Sequence, residues 1–239
     1  REQMAAMGED APLDTGMDTG ESSGDARAFD EFIKLLPKDI EVIAIEYPGH
    51  GTKRNLKCYQ NITKLVHNLL KDIKQIINEG NRIPYTFLGY SVGALVAIEM
   101  IEHLQNLNLP SPVLFIPVGA ASPSSWKLGV SPKLPNQQFV HALYKIGEIT
   151  KEAVDAGSSA WDLLLGPYRN DLYVEESFIT IEKERNDTLN NEFPKRRKVQ
   201  CQIIPVVAEQ DQGICEDGIV DSWKLETFHT DDFHVFRVP

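Results

Sequence analysis

At 239 residues the chain is long enough for one domain with a full-sized core and short for two. Its 42% hydrophobic and 25% charged residues are ordinary for a globular protein in water; no apolar run is long enough to cross a bilayer, and the first residues lack a secretory signal, so a cytoplasmic location is expected. A net charge of −11 argues against nucleic-acid binding, which needs a basic face, and three widely spaced cysteines, Cys58, Cys201 and Cys215, give neither a disulfide framework nor a metal-ligand pattern.

Residues 1–25 are rich in Gly, Asp, Thr, Met and Ser, and read as a flexible N-terminal segment. Residues 26–239 read as one folded domain. A helix is expected around Ala28–Leu36, stopped by Pro37. Ile40–Ile45 reads as a buried strand ended by Pro48-Gly49-His50-Gly51. The next helix has the strongest signal in the chain: Ile62, Leu65, Val66, Leu69, Leu70, Ile73, Ile76 and Ile77 fall on one helical face. Tyr85–Leu88 predicts a strand, Ala94–Leu104 a helix and Val113–Val118 another strand. This alternation predicts an α/β fold with a mostly parallel central sheet flanked by helices.

From Ser122 to Asn191 the alternation stops, with helical patterns near Asn136–Ile146 and Ala160–Leu165, so a helical insertion above the sheet is expected. A strand at Gln202–Val207, a helix near Gly218–Trp223 and an apolar stretch at Phe233–Val238 close the chain. The basic run Lys195-Arg-Arg-Lys198 reads as a solvated connection, with a nuclear-import look-alike or a docking patch for an acidic partner as the other readings.

Gly89-Tyr-Ser-Val-Gly93 stands between a predicted strand and a predicted helix. Gly-x-Ser-x-Gly in that context is the pattern of a nucleophile elbow. The turn is so tight that side chains two positions either side of the serine would strike backbone, and glycine removes them. Ser91 would then present its hydroxyl at the top of the sheet, with the Val92 N–H at a helix N-terminus able to hold an oxyanion. A serine needs a base, and in such folds the order is Ser, then Asp or Glu, then His. Asp211 stands just past a late strand, with Glu209 as its competitor; His229 and His234 are the histidines after it.

The run from about residue 29 to 236 resembles the type II thioesterases, stand-alone α/β-hydrolases that serve non-ribosomal peptide and polyketide synthases, with a relative acting alongside fatty-acid synthase. The resemblance is carried by Leu35-Leu-Pro-Lys-Asp-Ile-Glu-Val-Ile-Ala-Ile-Glu-Tyr-Pro-Gly-His-Gly51, by Gly89-Tyr-Ser-Val-Gly-Ala-Leu95 (with Tyr90 where the family usually has His), by Leu134-Pro-Asn-Gln-Gln-Phe139, by Leu163-Leu-Leu-Gly-Pro-Tyr-Arg-Asn-Asp-Leu172, and by Asp211 and Trp223. It implies an α/β-hydrolase fold with a mobile lid over about residues 123–192. It also implies hydrolysis of acyl thioesters held on the phosphopantetheine of an acyl- or peptidyl-carrier protein, with no cofactor beyond that arm.

Two departures bear on the site. The family opens with a strand running into a Phe-Pro-x-Ala-Gly-Gly loop that completes the oxyanion hole. Here the matching place reads Gly20-Glu-Ser-Ser-Gly-Asp-Ala26, and Ser23 and Gly24 are assigned to it, Gly24 as the second oxyanion amide. The family's catalytic His follows an aromatic and a short glycine-containing turn. Phe228-His-Thr-Asp-Asp-Phe-His234-Val-Phe236 aligns either with His234 as the base or with Phe233–Phe236 as the preceding strand, the base then falling past Pro239. The mechanism this predicts is a Ser91–His234–Asp211 acyl transfer. A general carboxylesterase, a terminal synthase thioesterase domain and a non-catalytic carrier-binding relative are the alternatives.

Overall fold

The structure, a computed structural model, describes residues 2–7, 29–79, 83–187, 196–211, 213–214 and 218–239. Among them, β1 (Glu2–Met7), β2 (Ile40–Ile45), β3 (Tyr85–Tyr90), β4 (Leu114–Val118), β5 (Gln202–Ile203), β6 (Val206–Ala208) and β7 (Phe236–Val238) form one parallel sheet. Its order is β2-β1-β3-β4-β6-β7, with β5 also on β4. β5 and β6 keep one register against β4, through Leu114↔Gln202 and Val118↔Val206. They are two pieces of one line, interrupted at Ile204-Pro205, where proline lacks the N–H a ladder needs.

β1 corrects an expectation. Glu2–Met7, which the composition places in a flexible segment, pairs with both β2 and β3. Residues 8–28 lie outside the described residues.

α2 (Ile62–Glu79) buries Ile62, Leu65, Val66, Leu69, Leu70 and Ile73, the stripe its spacing predicts. α3 (Val92–Asn106) is buried along nearly its whole length. It runs through the middle of the core, against β3 and beside α2. At roughly 25 cal/mol per Å² of apolar surface, such a helix contributes much of the folding free energy and gives the elbow before it a rigid base. α1 (Asp30–Leu35) is short and has no buried residue.

The insertion holds α4 (Asn136–Lys145), α5 (Lys151–Asp155) and α6 (Ser158–Asn186). α6 is far longer than the Ala160–Leu165 pattern suggested. It also divides its packing. Leu165, Trp161, Tyr168 and Leu172 join a separate cluster with Phe139, Val140 and Leu143 of α4. Val174, Phe178 and Ile181 join the main core. The lid is therefore a small second core resting on a helix rooted in the first. No helix of the described residues is long and apolar enough to cross a membrane.

Candidate active site

Ser91 stands between β3 and α3 with φ 49° and ψ −123°. A non-glycine residue at positive φ is strained and persists only where the surroundings force it. They do so here. Ser91 N–H donates to the Val118 carbonyl at 3.0 Å. A Cβ on Gly89 would lie 2.5 Å from Gly93 O and 2.6 Å from Gly93 C. The strand and helix thus meet backbone to backbone, as expected of an elbow. The Ser91 side chain makes no capping bond to α3. The Val92 amide, the first of that helix, has no intrahelical acceptor and lies at the helix's positive end.

In the sheet, Met7 stands level with both Ile45 and Gly89. β1 therefore ends beside the elbow, between it and the end of β2. Ser23 and Gly24, assigned to the oxyanion loop, lie outside the described residues.

Asp211 falls three residues past β6, in a turn whose first bond runs from Asp211 N–H to the Ala208 carbonyl at 3.1 Å. Its Oδ1 accepts from the amides of Gly213 at 3.1 Å and Ile214 at 3.2 Å. This fixes the carboxylate at the same edge of the sheet as Ser91. Glu209 instead continues the ladder, donating its N–H to Val238 O at 2.7 Å, with an exposed side chain.

His234 is not brought to Asp211. β7 begins at Phe236, which pairs with Val206, so His234 lies before the strand and alongside Ile204. Asp211 lies beyond the strand's other end, at least ~13 Å of strand away. His234 is exposed, and its Nδ1 lies 3.0 Å from Asp232 O. The register agrees with the second alignment, in which the aromatic run leads into the strand. His229 is engaged elsewhere, its Nε2 2.8 Å from Gln200 O.

Three polar contacts that the sequence did not reveal hold α6 in place. His50 Nε2 donates to Asp171 Oδ2 at 3.0 Å, with both side chains buried. Trp126 Nε1–H donates to Glu175 Oε2 at 3.1 Å. Burial pushes the Glu175 carboxyl up to about 8, with the charges of Asp171 and Glu148 adding to the rise against the indole bond. Near the end of α6, Glu182 Oε1 accepts from Arg185 at 2.8 Å and from Arg196 at 2.9 Å, and both arginines also hold Glu99 of α3, at 3.0 and 2.6 Å. Asp171, Glu175 and Glu182 share the inward face of α6, so each acid fastens the helix to a different element. Arg196 is thereby spoken for, its side chain 8% exposed. Of the basic run expected as a solvated or docking patch, Arg197 is exposed, Lys198 is half-buried, and Lys195 lies outside the described residues.

Glu148, on the turn between α4 and α5, is also held above the usual carboxyl range. The cause is chiefly protein crowding around its carboxyl, then the charge of Asp211, although much of the residue still meets solvent. Trp223 is fully buried, donates to Ala120 O at 2.9 Å and packs edge-on against Phe115. It joins the end of β4 to the segment after Asp211.

A strained serine between a core strand and a buried helix, with a fixed carboxylate past a later strand and a helical lid above, defines an α/β-hydrolase. Residues 20–236 match the thioesterase-domain family, and the chain belongs to it, a hydrolase acting on thioesters. The gramicidin S biosynthesis protein GrsT of Aneurinibacillus migulanus is 26% identical over 212 residues, covering 86% of this chain and 73% of that one. Among solved structures, the RedJ thioesterase of the prodiginine pathway in Streptomyces coelicolor shares the fold at a TM-score of 0.73 and 18% identity, covering 99% of this chain and 80% of that one. ClbQ of the colibactin pathway does so at 0.74 and 17%, covering 100% and 87%.

Proposed function

We propose that this chain hydrolyses acyl thioesters carried on the phosphopantetheine arm of an acyl- or peptidyl-carrier protein, with Ser91 as nucleophile. The observation that carries the reading is the backbone of Ser91, strained at φ 49° between β3 and α3. The likeness to GrsT, a protein of gramicidin S biosynthesis, supports the carrier-bound substrate.

In the first step Ser91 Oγ attacks the thioester carbonyl and its proton passes to an imidazole. The Val92 amide holds the oxyanion. The C–S bond breaks and the thiol leaves with that proton. Water, deprotonated by the same base, then attacks the acyl-serine and releases the acid and the free hydroxyl. Asp211 holds the imidazole in the right tautomer and stabilises its charged form. The chemistry calls for no metal or diffusible cofactor, since phosphopantetheine arrives with the substrate.

A fluorophosphonate probe tests the nucleophile. Modification should map to Ser91 by peptide mass and vanish in Ser91→Ala, along with hydrolysis of acyl-pantetheine. Equal modification of both proteins rejects the assignment.

A further inference from the structure

Arg169 and Asp171 stand on one turn of α6, two residues apart and so roughly 200° apart around the helix. They grip opposite partners. Arg169 donates to the carbonyls of Pro132 and of Leu134 (2.9 Å) and to Asn136 Oδ1 (2.9 Å), and its guanidinium lies 4.1 Å over the Phe139 ring. That is the start of α4 and the heart of the lid cluster. Asp171 reaches the other way, to His50 in the turn after β2.

The His50 turn is itself rigid. His50 N–H bonds to Tyr47 O at 3.1 Å, Lys53 N–H to His50 O at 2.8 Å and Gly49 N–H to Lys53 O at 3.0 Å. A Cβ on Gly49, at φ +96°, would fall 2.0 Å from Cys58 Sγ. β2 and β3 flank β1 with Ile45 and Gly89 level, so this turn rises about 10 Å from the elbow, two strand spacings away. A continuous line therefore runs from the rim of the site through His50, Asp171, one helical turn and Arg169 to the lid.

We infer that His50 and Asp171 are positioning residues for the thioesterase reaction: the pair fixes where the lid-bearing N-terminal half of α6 sits, and through Arg169 where the lid closes over Ser91. The inference rests on the proposed function for its catalytic consequence. Packing alone does not set this register. The inward face of α6 offers Val174, Phe178 and Ile181, which tolerate slippage, whereas an N–H to carboxylate bond has one geometry. A buried polar pair is also a poor route to stability, because apolar residues of similar size usually hold a fold as well or better. What the pair adds is direction.

That contrast supplies the test. The double variant His50→Leu/Asp171→Leu should match or exceed the wild-type thermal midpoint. Its KM for a long-chain acyl-pantetheine thioester should nevertheless rise about tenfold, with kcat within about threefold, and amides of α4 and α5 should exchange with deuterium about tenfold faster while those of α2 and α3 stay protected. His50→Gln, which keeps the donor, should retain wild-type KM and exchange. An apolar pair with unchanged KM and unchanged lid exchange overturns the inference, as does exchange that rises equally in α2 and α3. If that variant does not fold, Asp171→Ser, too short to reach His50, is read by the same exchange. Exchange needs no turnover, so a wild type that cleaves no thioester defeats the functional reading while lid exchange still decides the positioning role.

Discussion

Gly89 and Gly93 touch through their backbones: a methyl group on Gly89 would stand 2.5 Å from the Gly93 carbonyl oxygen. Neither atom can move aside, because one belongs to a central strand and the other to a buried helix. Gly89→Ala should cost at least ~2 kcal/mol by overpacking, and probe labelling of Ser91 should fall with it. Gly166 is the control. It lies in α6, and a Cβ there meets nothing within 4 Å, so Gly166→Ala should gain up to ~1 kcal/mol of helix propensity. Urea denaturation of both variants reads the difference; similar midpoints for the two would show that the elbow is not tight.

Arg196 should behave unlike its neighbour Arg197. Three acids, Glu99, Glu102 and Glu182, meet two arginines in this cluster. Burial opposes the charge on Glu99, but Arg196 and Arg185 outweigh it and hold the carboxyl below its usual range. Arg196→Ala strands buried carboxylates and should cost about 3–5 kcal/mol. Arg197→Ala, on an exposed side chain, should stay within about 0.5 kcal/mol. Chemical denaturation at low and at 0.5 M salt checks both, since a buried network is little screened. A small, salt-sensitive loss at Arg196 would return it to the surface.

The elements legible in the sequence were those whose burial repeats. α2 follows its apolar stripe from Ile62, and β3, Ser91 and α3 fall where the strand-glycine-serine-glycine pattern put them. β1 was not legible, because Glu-Gln-Met-Ala-Ala-Met has neither β-branched residues nor a clean alternation. Its pairing on both edges, a tertiary effect, makes it a strand. The length of α6 was hidden for a related reason. Its inward face carries Asp171, Glu175 and Glu182, so the apolar period breaks where the buried polar contacts begin. His50 and Asp171 both lay in stretches that resemble the thioesterases, yet nothing in a one-dimensional spacing of 121 residues says that they meet. For His234 the local pattern allows two alignments, and in the structure the aromatic run around it leads into β7.

Glu175 gives stability a pH dependence with a definite sign. Its carboxyl is raised from 4.5 to about 8, chiefly by burial. Between those values the unfolded chain has lost the proton and the folded one keeps it. Stability from this residue is therefore full below pH 4.5, falls as pH rises towards 8, and levels above it. The shift caps the effect at ~5 kcal/mol. Glu175→Gln keeps an acceptor for Trp126 and removes the titration. Wild type should lose stability relative to this variant between pH 5 and pH 8 in guanidinium titrations; curves that stay parallel would mean that Glu175 is ionised in the folded state.

Asp211 and His234 should separate cleanly in activity. Asp211 is fixed at the nucleophile's edge of the sheet by the amides of Gly213 and Ile214. Asp211→Asn preserves a side-chain oxygen for those bonds but removes the charge that stabilises an imidazolium, so kcat on acyl-pantetheine should fall by about 10³–10⁴ with little change in folding. His234 stands before β7, level with Ile204 and so two residues before β6, and its ring is exposed. His234→Ala should leave kcat, KM and Ser91 labelling within about twofold, as ordinary surface substitutions do. The two substitutions are best compared in single-turnover acylation, which isolates the attack of Ser91 from product release. A loss at His234 as deep as that at Asp211 would mean that the C-terminal segment threads the other way in the working enzyme, carrying the imidazole over the top of the sheet and leaving β7 displaced.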